Sequence, residues 1–241
     1  MNGLRAIALQ TGYPGAAKPL LADPLSFEAA RGALWVLAGH NGAGKSTLLH
    51  TLCGLLPAYR GTVCWNEQSV ADLDPLSRSA IFALVFTTRP AAASFTGSEL
   101  VGTALFRKRD LSEKQRQERI MQALETAAAV HLSAVYFGKM SDGEKQKVLL
   151  ARALAQDTPV LLLDEPSAFL DFVAKRELAA LLQRLAHEFQ KLVVVSTHDT
   201  EVFLPRADDL LFIDSHRVGR HVPQPAGNPE AAKLFQADGS G

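Results

Sequence analysis

Short apolar runs alternate with amphipathic stretches along this chain, and turn residues separate them. Seven of the runs have the length of β-strands, and they are Arg5–Gln10, Leu34–Ala38, Thr62–Trp65, Phe82–Phe86, Val160–Leu163, Leu192–Ser196 and Leu210–Ile213. Several are apolar at every position, as expected for strands that are covered on both faces of a parallel sheet. The runs before residue 70 alternate more and are interrupted by Gly, Pro and Asn, which predicts an antiparallel edge layer.

Three stretches have the features of helices. Lys45–Leu55 follows a glycine-rich turn directly, and Ser112–Ala128 begins with a Ser and a Gln at the spacing of a capping box. Phe172–Phe189 repeats large apolar residues along one helical face. Residues 90–142 contain helix-like segments without a convincing strand, which predicts a helical lobe inserted into an α/β core.

Length and composition are compatible with a single domain of this kind. The chain has 241 residues, and 47% of them are apolar, enough to bury a sizeable core. We expect residues 1–89 and 143–221 to form the core with its antiparallel layer, and residues 90–142 to form the helical lobe. Residues 222–241 are rich in Pro, Gly and Ala, and we expect them to be a loosely held tail.

Charge, cysteine content and apolar run length argue against several classes of protein. The 25 Lys and Arg residues balance the 25 Asp and Glu residues, so net charge gives no reason to expect nucleic acid as a direct partner. Cys53 and Cys64 fit buried apolar residues in a reducing compartment better than a redox pair. No run approaches the roughly 20 apolar residues of a membrane span, and no signal peptide is recognisable. We therefore expect a cytoplasmic protein that reaches a membrane by docking.

The strongest chemical signal is a glycine-rich loop between a predicted strand and a predicted helix. Its residues are Gly39, His40, Asn41, Gly42, Ala43, Gly44, Lys45, Ser46 and Thr47, which fit the phosphate-binding pattern G-x-x-x-x-G-K-[ST]. Glycines let successive amides converge on an anion, and the helix N-terminus adds its dipole. Lys45 is expected to reach the β- and γ-phosphates of ATP, Ser46 to ligate Mg²⁺ and Thr47 to support the α-phosphate. A glycine-rich turn with a chance lysine is the alternative, and His40 is interpreted as a solvent-facing loop position.

Polar residues follow two of the continuously apolar strands. Asp164 and Glu165 come directly after Val160–Leu163, and side chains at the carboxyl end of a parallel strand enter the ligand crevice. Asp164 is placed to hold Mg²⁺, directly or through water, and Glu165 to polarise the attacking water. The alternative is a carboxylate pair at a solvated edge. His198 follows the strand Leu192–Ser196 in the same way, and we expect it to contact the γ-phosphate and position the water.

Together these residues resemble the ATP-binding subunit of ABC transporters, and the resemblance covers nearly the whole chain. The added mark is the segment Met140-Ser141-Asp142-Gly143-Glu144, which is similar to the family signature L-S-G-G-Q and leads into the helix-like stretch Lys145–Ala155. It lies about 20 residues before the acidic pair, as in that family. The resemblance implies an α/β fold, a P-loop NTPase core with a mostly parallel sheet, an N-terminal antiparallel β layer and an inserted helical lobe.

The resemblance also implies roles for residues outside the loop. Tyr13 is similar to the aromatic residue that stacks on adenine, although a packing tyrosine in the edge sheet is the alternative. Residues 167–171 look like the D-loop, with Asp171 at a subunit contact, and His198 falls on the switch histidine.

A single chain cannot complete the mechanism that the resemblance implies. Two copies would pack head to tail as a homodimer, with each ATP held between the phosphate loop of one copy and the signature segment of the other. Ser141 and the Gly143 amide would bind the γ-phosphate, and Glu144 belongs to the same nucleotide-binding segment.

The sequence departs from the family pattern at three positions. Thr87 stands where the family has a glutamine that contacts Mg²⁺, and threonine is too short to extend an amide to the metal. Either water fills that gap or the metal is held more loosely. Asp142 and Glu144 replace a glycine and a glutamine, and a carboxylate near a triphosphate is unfavourable unless it points outward, where it could pair with a base.

The function implied is that of an ATPase that powers a separate membrane permease, with an extracytoplasmic substrate-binding protein in the complex. The segments Leu84–Arg89, Phe95–Thr96 and Glu99–Val101 are similar to those of siderophore, haem and cobalamin importers.

The alternative is an ABC-type ATPase without a permease that serves DNA repair, translation or cluster assembly. Such proteins usually have long coiled coils, tandem cassettes or basic arms, and none is apparent. A regulator without turnover would lack Glu165 or His198, and both are present.

Overall fold

The strands with continuous apolar runs form one six-stranded sheet. They are Leu34–Gly39 (β3), Phe82–Val85 (β6), Val160–Asp164 (β7), Leu192–Ser196 (β8), Asp209–Ile213 (β9) and Gly219–Pro223 (β10). The computed structural model describes residues 3–13, 15–86 and 92–238 of the chain. In it the strand order is β10-β9-β3-β8-β7-β6, and every neighbouring pair is parallel except β9 and β10. All residues of β7 and β8 are buried, as covering both faces requires.

A smaller antiparallel sheet packs beside it. Its strands are Gly3–Gln10 (β1), Leu25–Ala30 (β2), Arg60–Trp65 (β4) and Gln68–Ser69 (β5), in the order β2-β1-β4-β5. The predicted antiparallel layer is therefore confirmed for β1 and β4. It is wrong for Leu34–Ala38, which lies inside the parallel sheet as β3, because this strand is apolar on both faces and needs cover on both. β2 alternates buried and exposed residues and was not among the predicted strands.

Eight α-helices surround the sheets in the described part of the chain. They are Lys45–Leu52 (α1), Pro75–Ile81 (α2), Gly97–Gly102 (α3), Glu113–Thr126 (α4), Asp142–Gln156 (α5), Phe172–His187 (α6), Thr200–Phe203 (α7) and Pro229–Asp238 (α8). The three predicted helices appear as α1, α4 and α6, each shorter at its C-terminal end. None of the described helices is long and apolar enough to cross a membrane.

One buried cluster joins the lobe helices to the main sheet. It contains Leu100 of α3, Leu124 of α4 and Val148 of α5 together with Leu163 of β7. Between residues 97 and 139 the structure has helices and 3₁₀ turns and no strand. Because α5 packs against both α3 and α4 and against β6, it connects the lobe to the core. The exact division into domains stays a prediction.

The prediction of a loosely held tail is wrong for residues 222–238. Val222 of β10 is completely buried, and Ala231 of α8 is 3% exposed. The Phe235 ring meets Phe212 of β9 edge to face, with 4.9 Å between ring centroids. The prolines and glycines of this segment mark the turn between β10 and α8, and the apolar residues on either side of that turn return to the core.

Both cysteines are buried and unbridged, as predicted. Burial raises the pKa of the Cys53 thiol to about 11, so this side chain stays protonated near neutral pH and is a poor nucleophile.

Candidate functional site

The glycine-rich loop connects β3 to α1 with the geometry that its sequence predicts. Gly39 has φ 148°, and a Cβ atom there would lie 2.2 Å from the Ile213 carbonyl oxygen. Gly44 is the N-cap of α1 with φ 108°, and a Cβ atom there would lie 2.5 Å from the Leu20 side chain. Both positions therefore require glycine. The loop reaches the N-terminus of α1, where free amides and the helix dipole favour an anion.

Lys45 is the buried cation of this loop. Its residue is 7% exposed, and its Nζ donates to the carbonyl oxygens of Gly39 at 2.8 Å and His40 at 3.2 Å. Nζ also lies 3.1 Å from His198 Nε2. Burial lowers the pKa of the Lys45 ammonium below its ordinary value, and the negative charges of Glu165 and Asp164 oppose that shift.

Glu165 faces Lys45 and His198 from the end of β7. Its backbone is left-handed, with φ 49°. Its Oε1 lies 3.0 Å from His198 Nε2 and 3.8 Å from Lys45 Nζ, yet this buried atom makes no well-aligned hydrogen bond to a described residue. Burial raises the pKa of Glu165, and the attraction of His198 and Lys45 only partly offsets it. A carboxylate with a raised pKa and a free acceptor atom has the properties of a general base.

Ser196, the last residue of β8, holds both acidic residues in place. Its Oγ donates to Asp164 Oδ1 at 2.5 Å and accepts the Glu165 amide at 3.1 Å. The Glu165 amide also reaches the Ser196 carbonyl at 3.1 Å. Ser196 is completely buried. Sequence reasoning missed this residue, since a serine at the end of an apolar strand carries no motif of its own.

A second, partly buried network of hydrogen bonds fixes the loops after β7 and β8. Ser167 Oγ donates to Asp199 Oδ2 at 2.7 Å, and Lys175 Nζ donates to Asp199 Oδ1 at 2.6 Å. Thr197 Oγ1 lies 3.3 Å from Ser167 Oγ. Burial opposes the charge of Asp199, but hydrogen bonds from Lys175 and Ser167 hold its pKa below the usual value. The network thus ties the segment after Glu165 to the segment that carries His198.

Three loop-side residues differ in how they are placed. Tyr13 is 58% exposed, and its hydroxyl lies 3.4 Å from Thr47 Oγ1, so its ring stands beside the loop. The Ser46 side chain is exposed and has no hydrogen-bond partner among the described residues. His40, which was predicted to face solvent, is half-buried: its Nε2 atom is shielded from solvent, and its Nδ1 atom lies 2.7 Å from the Asn41 carbonyl oxygen.

The signature segment forms the N-terminus of α5, and its polar groups bind one another. Ser141 is the N-cap: its amide and its hydroxyl donate to Glu144 Oε2 at 2.7 and 2.8 Å, and the Glu144 amide donates back to Ser141 Oγ at 3.4 Å. This is a complete capping box. Asp142 pairs with Lys145 at 3.6 Å, as expected for a carboxylate that points outward.

The structure does not join the signature segment to the phosphate loop within one chain. Within the described ranges, Ser141, Gly143 and Glu144 make no hydrogen bond or ion pair with that loop. Asp171 caps α6 by accepting the Ala174 amide at 2.8 Å. Thr87 lies outside the described residues.

The donors present suit a magnesium ion that is shared with a polyphosphate. Within the described ranges no cluster of three or more His, Cys, Asp or Glu side chains could hold a metal alone. Mg²⁺ in nucleotide sites is commonly held by one or two protein oxygens, water and the phosphates themselves. The exposed Ser46 hydroxyl and the buried Asp164 carboxylate are oxygen donors of that kind.

The fold and the site define a class of protein. A phosphate-binding loop after a central parallel strand, with a carboxylate pair at the end of a nearby strand, is the arrangement of P-loop nucleotide hydrolases. The family model for ABC transporters matches residues 22–168. The chain belongs to the ABC transporter family, and it is an ATPase cassette of that family.

Three relatives that are named as ATP-binding proteins of transporters align with most of the chain. An uncharacterised ABC transporter ATP-binding protein of Methanocaldococcus jannaschii is 38% identical over 220 residues, covering 89% of this chain and 74% of that protein. The hemin import ATP-binding protein of Nocardia farcinica is 36% identical over 214 residues, covering 88% and 73%. The thiamine import ATP-binding protein of Vibrio cholerae is 34% identical over 189 residues, covering 78% of each.

A solved ABC cassette has the same fold. It is a dimer in a post-hydrolysis state with ADP and phosphate bound, and it superposes with a TM-score of 0.83 at 25% identity. The match covers 92% of this chain and 98% of that one.

The role of Ser196 can be tested with Ser196→Ala. Because Asp164 and the Glu165 amide lose a shared partner, we expect the free energy of unfolding to fall by about 2 kcal/mol and the ATPase rate to fall by about tenfold. Chemical denaturation and steady-state phosphate release measure the two effects.

Thr158→Val is the matched control. The Thr158 hydroxyl is also buried, but it donates to the Val160 carbonyl oxygen at 2.9 Å, at the opposite end of β7. It should lose similar stability and keep its ATPase rate. An equal loss of activity in both variants would show that Ser196 has only a structural role.

Proposed function

We propose that the chain hydrolyses ATP at a site shared between two copies and that this powers transport through a separate membrane permease. The observation that carries the proposal is the convergence of Lys45, Glu165 and His198, whose charged or polar atoms lie within 3.0 to 3.8 Å of one another. A buried cation beside a base with a raised pKa suits the cleavage of a terminal phosphate by water.

The phosphate loop binds the triphosphate. Residues 39–47 supply backbone amides, with Lys45 directed to the β- and γ-phosphates and Thr47 to the α-phosphate. Tyr13 stacks on the adenine, which its exposed ring beside Thr47 supports. Ser46 and Asp164 hold Mg²⁺, which neutralises phosphate charge when bound. A contact between Thr87 and the metal stays a prediction.

Glu165 is the general base in this proposal. A water molecule next to Oε1 would give up a proton to the carboxylate as the water oxygen attacks the γ-phosphorus. The bond between the γ-phosphorus and the bridging oxygen then breaks, and ADP leaves. His198 Nε2 lies 3.0 Å from Oε1 of Glu165 and orients both the base and the phosphate. The left-handed backbone of Glu165 and its amide bonds to Ser196 keep the carboxylate in this position.

The second copy completes the site. Its Ser141 hydroxyl and Gly143 amide, at the N-terminus of α5, would approach the γ-phosphate, while Asp171 would meet the partner at the subunit contact. Two observations support this arrangement: the related cassette is a dimer, and the signature segment makes no described contact with the loop of its own chain. Glu144 then acts by holding Ser141, rather than by touching the nucleotide.

The transport step is proposed to be import of an iron-siderophore, haem or cobalamin type of substrate, delivered by an extracytoplasmic binding protein. The hemin-import relative supports this class. The exposed Phe95 and Phe106 of the lobe are suited to contact a permease. The chain would thus lie at the inner face of the membrane.

Glu165→Gln tests the proposed base. The change keeps the shape of the side chain but removes proton acceptance, so ATPase activity should fall by at least about 100-fold while ATP affinity is retained. Phosphate release and equilibrium binding of a fluorescent ATP analogue measure the two quantities. Glu188→Gln is the control, because Glu188 is exposed and pairs with Arg184 at 3.5 Å, away from the site. Full turnover in the Glu165 variant would contradict the assignment.

Purification from membranes tests whether the chain associates with a permease. The tagged full chain, purified from gently solubilised membranes of its own cells, should bring down an integral membrane protein in a near-equal ratio. Mass spectrometry identifies the recovered partner. Recovery of ribosomes or DNA without any integral membrane protein would favour the soluble ATPase alternative.

A further inference from the structure

A cavity of about 440 Å³ lies between the helical lobe and the core, behind the acidic pair. Its walls come from the C-terminal end of α4, from α5 and from α6, and β7 and the segment after it form the floor. Most of the wall is apolar, with Leu150, Leu163, Leu170, Leu178 and Leu181 as its main contributors. This volume is within the range of small-molecule binding sites.

Gln146 contributes a side-chain amide to the wall of this cavity. The residue is only 7% exposed, and its amide has no hydrogen-bond partner among the described residues. The amide is not one of the fully enclosed polar atoms, so it is accessible to water or to a ligand in the cavity and is free to bind either. A ligand with an acceptor or donor group would satisfy it.

The charged groups at the edge of the cavity are unevenly paired. Lys147, next to Gln146 on α5, has no ion pair in the described part of the chain, whereas Arg184 on α6 binds Glu188 at 3.5 Å. Glu177 on α6 is exposed at the edge and also lacks an ion pair within the described ranges. The α5 side therefore offers an amide and a cation side by side, and Glu177 is the one carboxylate in the lining.

We propose that this cavity binds a compact amphipathic organic anion. The apolar body of the ligand fills the leucine-lined space, and its anionic group accepts a hydrogen bond from the Gln146 amide and pairs with Lys147. Charge complementarity with Lys147 selects an anion, and Glu177 limits its affinity. The site is distinct from the nucleotide site and does not depend on the proposed function.

The position of the cavity connects it to the catalytic strand. Leu163 immediately precedes Asp164, and Pro166 immediately follows Glu165; both line the cavity. Gln146 and Leu150 belong to α5, the helix that begins after Ser141. A ligand here contacts the backbone that carries the acidic pair on one side and the signature helix on the other.

The test uses the full chain and the probe 8-anilinonaphthalene-1-sulfonate, which has an aromatic body and one anionic group. Fluorescence titration should show one saturable site, and decanoate should compete for it. Gln146→Leu and Lys147→Met should each weaken binding of the probe by at least fivefold, whereas Glu177→Gln should strengthen it. Gln122→Leu is the control, because Gln122 is exposed and lies outside this cavity, and it should leave the affinity unchanged.

A filling variant separates this cavity from other apolar surfaces. Ala174→Phe places a ring into the wall from α6 and should abolish saturable binding, with folding checked by circular dichroism. If Ala174→Phe does not fold, the Glu177→Gln and Lys147→Met pair decides the matter, since Glu177 is exposed and Lys147 is only half-buried. Absence of a saturable site, or equal affinity in wild type and in the Gln146 and Lys147 variants, would overturn the proposal and leave a water-filled cleft.

Discussion

The burial of the Lys45 ammonium is the constraint on which the site depends. A charge taken out of water is costly unless it is paired and hydrogen-bonded, so the loop carbonyls, Glu165 and His198 must all be close to it. The sheet meets this demand through strand order. Because β3, β8 and β7 are parallel neighbours, Ser196 lies in register with both Leu37 and Asp164, and the three carboxyl ends come together at one edge.

Burial explains the opposite pKa shifts of Lys45 and Glu165. Burial disfavours both ionised forms, lowering the pKa of Lys45 and raising that of Glu165, and their mutual attraction only moderates the effect. A triphosphate that enters the loop would bring new negative charge to Lys45 and could leave Glu165 free to work as a base. Desolvation thus sets the direction of both pKa shifts. Ser196 and the Ser167–Asp199 network keep the geometry of the site fixed.

Local motifs could be predicted from the sequence, whereas contacts made between distant segments could not. The loop 39–47, the acidic pair and His198 were recognisable because their residue types and their positions after apolar strands are local properties. The roles of Ser196 and Lys175, and the bond from Ser167 of the D-loop-like segment to Asp199, could not be predicted because they depend on a neighbouring strand or loop. β2 and the tail were missed for a different reason: a short alternating strand and a proline-rich segment resemble loops until a partner surface covers them.

The signature segment is the other part of the proposed nucleotide site. Ser141 and Glu144 already form a closed capping box, so the N-terminus of α5 is shaped before any partner arrives, yet nothing described connects it to its own phosphate loop. A mixing experiment tests directly whether a second copy supplies that connection. Lys45→Ala and Ser141→Arg variants, each expected to be inactive alone, are unfolded and refolded together, and ATPase activity is measured. If ATP lies between two copies, random pairing restores one intact site in mixed dimers and about a quarter of wild-type activity. A mixture as inactive as either variant alone would contradict the shared site.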